Sequence, residues 1–166
     1  MPDRRPHLAA LFLLSLVACE DDDSHADDTC MIDVAISGDV TADLPGSDGV
    51  ACAIQFSGGD GIDVEYVTLS EPRVRVDLVI DVVTKGMTGD AFPAELRVLD
   101  EAMTIWATLD CTVDIHEHAY VEPAELGNER YQVRGEGRCT GPLTSDGGGS
   151  VTLAPFEFAI PVTWSD

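Results

Sequence analysis

Apolar and polar residues alternate with a period of two from residue 30 onward, which is typical of β-strands with one buried face. The clearest run places aliphatic residues on one face and charged residues on the other. The apolar face is Val74, Val76, Leu78, Ile80 and Val82, and the polar face is Arg73, Arg75, Asp77 and Asp81. No window of ten or more residues keeps a helical period. The pattern therefore predicts an all-β domain.

Seven further runs predict strands on both sides of this one. They are Cys30 with Ile32, Val34 and Ile36; Val50 with Cys52, Ile54 and Phe56; Ile62 with Val64 and Tyr66; and the segments 94–99, 103–115, 131–139 and 156–164. A shift of the apolar phase to Val67 and Leu69 indicates a bulge. Segment 103–115 is either one strand or two strands that share a corner near Asp110. Turn-forming residues predict loops at 41–49, 57–61, 85–90, 122–128 and 141–150. Eight or nine strands joined in this way predict an antiparallel β-sandwich or a partly open barrel.

Two prolines and one tryptophan bear on which strand lies at an edge of the sheet and which strand face is exposed to solvent. Pro155 and Pro161 have no amide hydrogen to donate, so the last strand is predicted to lie at an edge or to pair on one side. Trp106 falls on the face opposite Ile105 and Ala107. It is an exposed contact point if that face is open, and a buried residue if a second sheet or a loop covers it.

A hairpin of 111–121 and 129–139 predicts one disulfide. The register that sets Val113 opposite Gly137 and Ile115 opposite Gly135 brings apolar residues against small ones. The same register sets Cys111 opposite Cys139. It also places a polar set on the other face: Thr112, Asp114, His116, His118 and Tyr120, facing Arg138, Glu136, Arg134, Gln132 and Arg130.

Charge is the unusual feature of the composition. The 166 residues include 9 Lys+Arg and 31 Asp+Glu, for a formal net charge of −22. Nucleic acid is therefore not an expected partner, because phosphate binding needs a basic surface, and adhesion to anionic headgroups is disfavoured for the same reason. Such charge indicates solubility and mutual repulsion on a crowded surface. Divalent cations or basic partners are the second interpretation.

The first nineteen residues have the parts of an export signal. Arg4 and Arg5 precede an apolar run over 8–18, and small residues precede Cys19. The run is shorter than the roughly twenty apolar residues of a membrane-spanning helix. Segment 16–19, Leu-Val-Ala-Cys, resembles the bacterial lipobox. That resemblance implies a diacylglyceryl group on the thiol of Cys19, cleavage before it and acylation of the new N-terminus. An ordinary cleaved signal with an incidental cysteine is the alternative.

Cleavage there divides the chain into a signal peptide 1–18, a lipidated acidic tether 19–29 and a single β domain 30–166. Loss of Arg4, Arg5 and Asp3 with the signal leaves 7 basic and 30 acidic residues, a net charge of −23. Segment 20–28 has six acidic residues and no aliphatic residue larger than alanine. This composition indicates a solvated spacer between lipid and domain.

Four cysteines remain after Cys19. An even number in an exported chain indicates disulfides, and four cysteines allow three connectivities. The hairpin register selects Cys111–Cys139, which leaves Cys30 with Cys52. Zinc is the competing interpretation, but no C-x-x-C pair supports it.

His116 and His118 are the candidate metal ligands, since they are the only histidines in 30–166. Two residues apart on a strand, they project from one face, as ligands of zinc or copper do. The predicted register places Arg134 and Arg130 beside them, and these cations oppose a bound metal ion. We therefore expect both histidines to be outer-face strand residues without a tightly bound metal.

Segment 58–63 resembles one turn of the calcium-binding nonapeptide of β-roll proteins. It occurs once, and Glu65 lies where that repeat has a large apolar residue, so a hairpin turn explains it better. No hydrolase elbow, P-loop or dinucleotide-binding glycine pattern is present. We therefore expect no enzymatic activity and no cofactor.

The domain also resembles small β-rich lipoprotein antigens of mycobacteria. The resemblance rests on Cys52 in an early strand, the G-x-G of Gly135 and Gly137, and the late F-x-F of Phe156 and Phe158. It implies no functional residues.

The sequence thus predicts a lipid-anchored bacterial cell-envelope protein with a non-catalytic binding or structural domain. Its expected partners are the membrane, through Cys19, and an envelope protein, glycan or divalent cation. A metal-binding protein or metal-dependent enzyme using His116 and His118 is the alternative.

Overall fold

The computed structural model describes residues 29–55, 61–123 and 128–164, which form eleven β-strands in one antiparallel sheet. The strands are β1 (Met31–Gly38), β2 (Ala42–Gly46), β3 (Val50–Gln55), β4 (Ile62–Thr68), β5 (Arg75–Ile80), β6 (Gly89–Leu99), β7 (Ile105–Pro123), β8 (Glu129–Cys139), β9 (Leu143–Ser145), β10 (Gly149–Leu153) and β11 (Phe156–Trp164). The predicted all-β class is confirmed, with more strands than expected. None of the described residues forms a helix that could cross a membrane.

The sheet closes partly on itself. Its strand order is β3-β4-β5-β6-β7-β8-β11-β1-β10-β9, with β2 on the far side of β1. A further pairing joins Ala107 of β7 to Thr144 of β9. The registers of β9 and β10 follow on from those of β8 and β11, so these strands prolong the β8–β11 pair and the sheet is open, with β3 and β2 as its end strands. The sheet curls until β3 lies near β1 and β2, which agrees with the predicted antiparallel sandwich or partly open barrel.

One hydrophobic core lies between the curved faces of the sheet, because the period-two pattern points every second side chain inward. On β4, Ile62, Val64, Tyr66 and Thr68 are buried, and the residues between them are half-buried. The hydroxyl of Tyr66 is buried without a hydrogen-bond partner among the described residues. Burial raises the pKa of Tyr66 well above its usual value.

Strand β7 changes its inward face near Asp110, at the corner that the sequence predicted. Trp106 is 4% exposed, whereas Ile105 on the opposite face is 49% exposed. The register against β6 shifts between the Ala94–Cys111 pair and the Leu96–Thr108 pair, and Cys111 is again buried. Of the two alternatives for Trp106, the buried one is correct.

Two local predictions are wrong, and a third is correct for part of a strand. The register of β4 against β5 runs unbroken from Ile62 to Val67, so the phase shift there marks no bulge. The segments expected as loops at 41–49 and 141–150 contain β2, β9 and β10. Strand β11 pairs with both β8 and β1 over 157–159, so it is not an edge strand there, but beyond 159 it pairs with β8 alone among the described residues, as the one-sided alternative predicts. Pro161 lies beyond the β1 pairing, so its missing amide hydrogen interrupts nothing there.

Both predicted disulfides are present. Cys111 and Cys139 bridge neighbouring strands with their Cα atoms 4.0 Å apart. Cys30, just before β1, bridges to Cys52 in β3 with a Cα separation of 6.2 Å. The predictions for Cys19, the signal peptide, the tether up to residue 28 and most of the loops at 57–61 and 122–128 lie outside the described residues.

Candidate functional site

A β-bulge separates the two candidate metal ligands, His116 and His118. The β7–β8 register follows the prediction from Cys111 as far as Ile115, which lies opposite Gly135. The next pair is Glu117 with Arg134, so His116 is an extra residue in β7. From Glu117 to Tyr120 the pairing is one residue out from the prediction, and a second irregularity after Tyr120 makes it two residues out at Glu122. His118 lies opposite Val133 rather than Gln132, and it moves to the buried side of the sheet.

The two imidazoles therefore have different environments. The His116 side chain is 57% exposed, and its Nε2 lies 3.9 Å from a carboxylate oxygen of Glu136. His118 is 8% exposed, so its predicted outer-face position is wrong. Among the described residues, no group of three His, Cys, Asp or Glu side chains is arranged to hold a metal ion. The shared ligand face on which the metal hypothesis depended is not formed.

Both ring nitrogens of His118 are used in hydrogen bonds. Nδ1 lies 3.0 Å from the carbonyl oxygen of Met87, and Nε2 accepts from Trp164 Nε1 at 3.0 Å and from the Gly86 amide at 3.4 Å. Since Nε2 accepts, the proton is on Nδ1, which donates to Met87. Burial lowers the pKa of His118, against the raising effect of the Met87 contact. A neutral His118 thus ties the β5–β6 loop to β7 and β11.

Aromatic rings surround His118 at this end of the sheet. Tyr131 lies edge-on to His118 with ring centroids 5.2 Å apart, and Tyr120 lies 5.6 Å from Tyr131. The Tyr131 hydroxyl donates to Glu129, which also pairs with Lys85 at 2.6 Å. We call His118, Tyr120, Tyr131 and Trp164 the aromatic cluster. Its contacts are structural, with Tyr120 left 52% exposed at the rim.

Asp114, another member of the predicted polar set, also has a structural role. Its Oδ1 accepts from the Ala91 amide at 2.6 Å, and its Oδ2 accepts from Arg138 at 3.1 Å. The Ala91 amide, and after it Arg138, lower the pKa of this carboxyl group. Ala91 has a φ of 57°, in the left-handed region, at an irregularity in the β6–β7 pairing. Asp114 therefore holds this bend of β6 in place.

A groove lies on the outer face of β4 to β7, and its lining is partly apolar. Its floor follows one row of paired residues across four strands, from Val67 through Arg75 and Leu99 to Ile105. The groove has a volume of about 500 Å³. Its lining residues are Val67, Arg73, Val74, Arg75, Leu99, Asp100, Glu101 and Met103. We call it the hairpin groove, because the β6–β7 hairpin forms one wall.

The two arginines of the hairpin groove have different surroundings. Arg75 is held between Glu65 at 3.2 Å and Asp77 at 2.9 Å, so its charge is neutralised within the sheet. Arg73 is 67% exposed, and its ion pair with the exposed Glu71 is long, at 3.9 Å. It also lines a neighbouring hollow of about 380 Å³ beside Asp39, Val40 and Thr41. Arg73 is thus the cation most available to a ligand in either depression.

The wall of the hairpin groove formed by the β6–β7 hairpin is a hydrogen-bonded turn in which Met103 is exposed. The Met103 amide donates to the carbonyl oxygen of Asp100, and the Asp100 carboxylate accepts from the Thr104 amide at 2.8 Å. Met103 has a φ of 61°, which is unfavourable for a residue other than glycine. Its side chain is 69% exposed. A strained backbone that presents an exposed thioether is suited to contact with a partner.

The sequence did not identify this groove. Its floor comes from four strands, and pattern analysis gives the facing of each strand without the register between them. The sequence carries one signal of the groove, the apolar residue at the outward position Val67, although the alternation alone predicts a bulge there. Comparison with protein-family models, curated proteins and solved structures finds no match for this chain.

Proposed function

We propose that the chain is a lipid-anchored lipoprotein of the bacterial cell envelope whose β domain is a non-catalytic binding domain. The observation that carries the proposal is the cysteine pairing. The chain has five cysteines, and the four from residue 30 onward form two bridges with one another. Such bridges are typical of exported proteins. The fifth is Cys19, directly after Leu16-Val17-Ala18, where lipidation would use its thiol.

The position of the hairpin groove supports a binding role. Cys30 precedes the first residue of β1, and Asp39 to Thr41, at the hollow beside the groove, follow its last residue. The eight residues of β1 cover about 26 Å. A ligand at this end of β1 is therefore remote from the end at which the tether joins the domain.

The chemistry of the groove favours an envelope protein or peptide over a glycan or a divalent cation. Val67 and Met103 offer apolar surface, which suits hydrophobic side chains. Asp100 is engaged by Thr104, so it is a poor cation ligand. Arg73 at the rim suits a carboxylate on the partner.

Lipidation is tested with Cys19→Ser in a bacterial host. We expect the wild type to partition with membranes and to carry acyl chains in the mass of its N-terminal peptide. The variant should be soluble or should accumulate with its signal uncleaved. Ser15→Ala, which leaves 16–19 intact, is the control. A Cys19→Ser variant that is still processed and membrane-bound would contradict the anchor.

Binding at the groove is tested by crosslinking in intact envelopes. Met103→Asp and Arg73→Glu should each lose the crosslinked partner that the wild type captures. Leu109→Asp is the matched control, because Leu109 is 74% exposed and is not part of the groove lining. Equal crosslinking by all four proteins would show that the groove is not the binding site.

A further inference from the structure

The end of the domain where the tether joins also carries the aromatic cluster. The carbonyl oxygen of Thr29 accepts a hydrogen bond from Gln132 Nε2 at 2.9 Å. Gln132 is the neighbour of Tyr131, which lies opposite Tyr120 across the β7–β8 hairpin. The chain therefore enters the domain within one or two strand positions of the exposed Tyr120.

The length of the preceding chain limits how far this end can be from the lipid. Thr29 is ten residue steps from Cys19, and a chain of that length spans at most about 35 Å when fully extended. A tether of that length keeps the Thr29 end of the domain close to any membrane that holds Cys19. The inference that follows therefore rests on the proposed function.

The exposed residues at this end have the character of a membrane interface. Tyr120 is 52% exposed and Met87, in the loop held by His118, is 37% exposed. Tyrosine is enriched at the level of lipid headgroups, where its ring and hydroxyl meet different surroundings.

Charge at this end also permits contact with lipid. The chain as a whole carries a net charge of −22, which repels an anionic surface. Here, however, Lys85 pairs with Glu129 at 2.6 Å and Arg130 pairs with Glu122 at 3.4 Å. The two pairs are neutral together, so a lipid surface without net charge meets no local repulsion.

We propose that Met87 and Tyr120 form a membrane-contact patch that lies against the headgroups of a zwitterionic phospholipid surface. Anchoring through Cys19 supplies the affinity, and the patch sets the orientation. The hairpin groove, with Met103 at the other end of β7, then faces away from the membrane. Ile105 and Tyr120 are separated by about 50 Å of strand length.

Fluorescence quenching by brominated phosphatidylcholine tests this orientation. The chain from Cys19 onward is coupled through that thiol to a maleimide lipid, so the test does not depend on processing in cells. Met87→Trp and Tyr120→Trp should each lose their added emission on brominated vesicles. Met103→Trp, at a 69% exposed position, is the control and should keep its emission. The buried Trp106 and Trp164 supply a background that is measured on the wild type.

Two results would contradict the proposal that Met87 and Tyr120 form a membrane-contact patch. Unquenched emission from all three variants would mean that the tether holds the domain away from the lipid. Equal quenching of all three would mean that the domain has no fixed orientation. Neither result concerns native lipidation, whose failure would appear separately as an unacylated Cys19 in the mass of the protein made in cells.

Discussion

Phe158 of β11 lies directly opposite Gly135 of β8, and its ring occupies the space that a side chain at Gly135 would need. Phe156 and Gly137 repeat the relationship two residues away. The alternating glycines and phenylalanines of the two strands are therefore one packing unit. A large ring on each glycine fills the core without pushing the strands apart.

Alanine at Gly137 or Gly135 should destabilise the domain by about 1–3 kcal/mol through overpacking. The two sites should differ in how much of the lost stability a second substitution, at the facing phenylalanine, restores. The three atoms nearest to a Cβ at Gly137 all belong to the Phe156 ring, so Phe156→Leu should restore part of the loss. A Cβ at Gly135 also meets the backbone oxygen of Asp114, so Phe158→Leu should restore less.

The measurement for these variants is urea unfolding. Gly147→Ala is the control, because nothing lies within 4 Å of a Cβ there, and it should change stability by about 0.5 kcal/mol or less. Equal rescue at both sites would contradict the role assigned to the Asp114 backbone.

Tyr66→Phe should stabilise the domain by about 1 kcal/mol, because it removes a buried hydroxyl that has no partner among the described residues. Thermal unfolding measures the effect. Tyr131→Phe is the comparison, since the Tyr131 hydroxyl donates to Glu129 and its loss should not stabilise. A less stable Tyr66→Phe protein would show that the hydroxyl has a partner in solution.

The stability of the domain should fall as the pH is lowered below about 6.5, the ordinary pKa of histidine. Burial lowers the pKa of His118 in the folded state, so the unfolded chain binds the proton more readily. Neutral His118 makes its full contribution to the free energy of unfolding at a pH above the unfolded-state pKa. That contribution is lost as the pH falls toward the folded-state pKa.

Urea unfolding between about pH 7 and pH 5 reports this dependence. His118→Phe should flatten the pH dependence over this range, and should lower stability at pH 7 by about 1–3 kcal/mol because Trp164 loses its acceptor. His116→Gln, at an exposed position, should leave the slope unchanged. A slope that persists in His118→Phe would assign it to another group.

Removing the Cys111–Cys139 bridge, with alanine at both positions, should cost about 3–4 kcal/mol by freeing the unfolded chain. The Cys30–Cys52 pair closes a loop of similar length and should cost a similar amount. Non-reducing peptide mapping must first recover these two pairs. A peptide joining Cys52 to Cys139 would contradict the strand arrangement.

The period-two pattern was sufficient for the fold class, most strands and the first half of the β7–β8 register. It failed at His116 because a bulge is visible in a sequence only when it shifts an apolar phase. His116, Glu117 and His118 are all polar, so the inserted residue left no mark. The pattern also missed β2 and β9, whose few residues lie among turn formers, since pairing with β1 and β10 rather than intrinsic preference makes them strands.

The burial of Trp106 depended on tertiary structure. The apolar alternation of 103–115 runs on odd positions without a break, which favoured Ile105 as the inward residue. The corner in β7 exchanges the faces, and the larger apolar area of tryptophan is then removed from water. The hairpin groove was beyond sequence analysis for a related reason, since it exists only when β4 to β7 are set in register.

Among the described residues, strands β2 and β3 each pair on one side only, so their outer amides and carbonyls could template the addition of a strand from another molecule. Pro45 interrupts the row of donors in β2. The bridge from Cys52 to Cys30 holds β3 against the body of the domain. Reduction of that one bond would therefore do more than lower stability, because it would release an edge strand where neighbouring copies could polymerise.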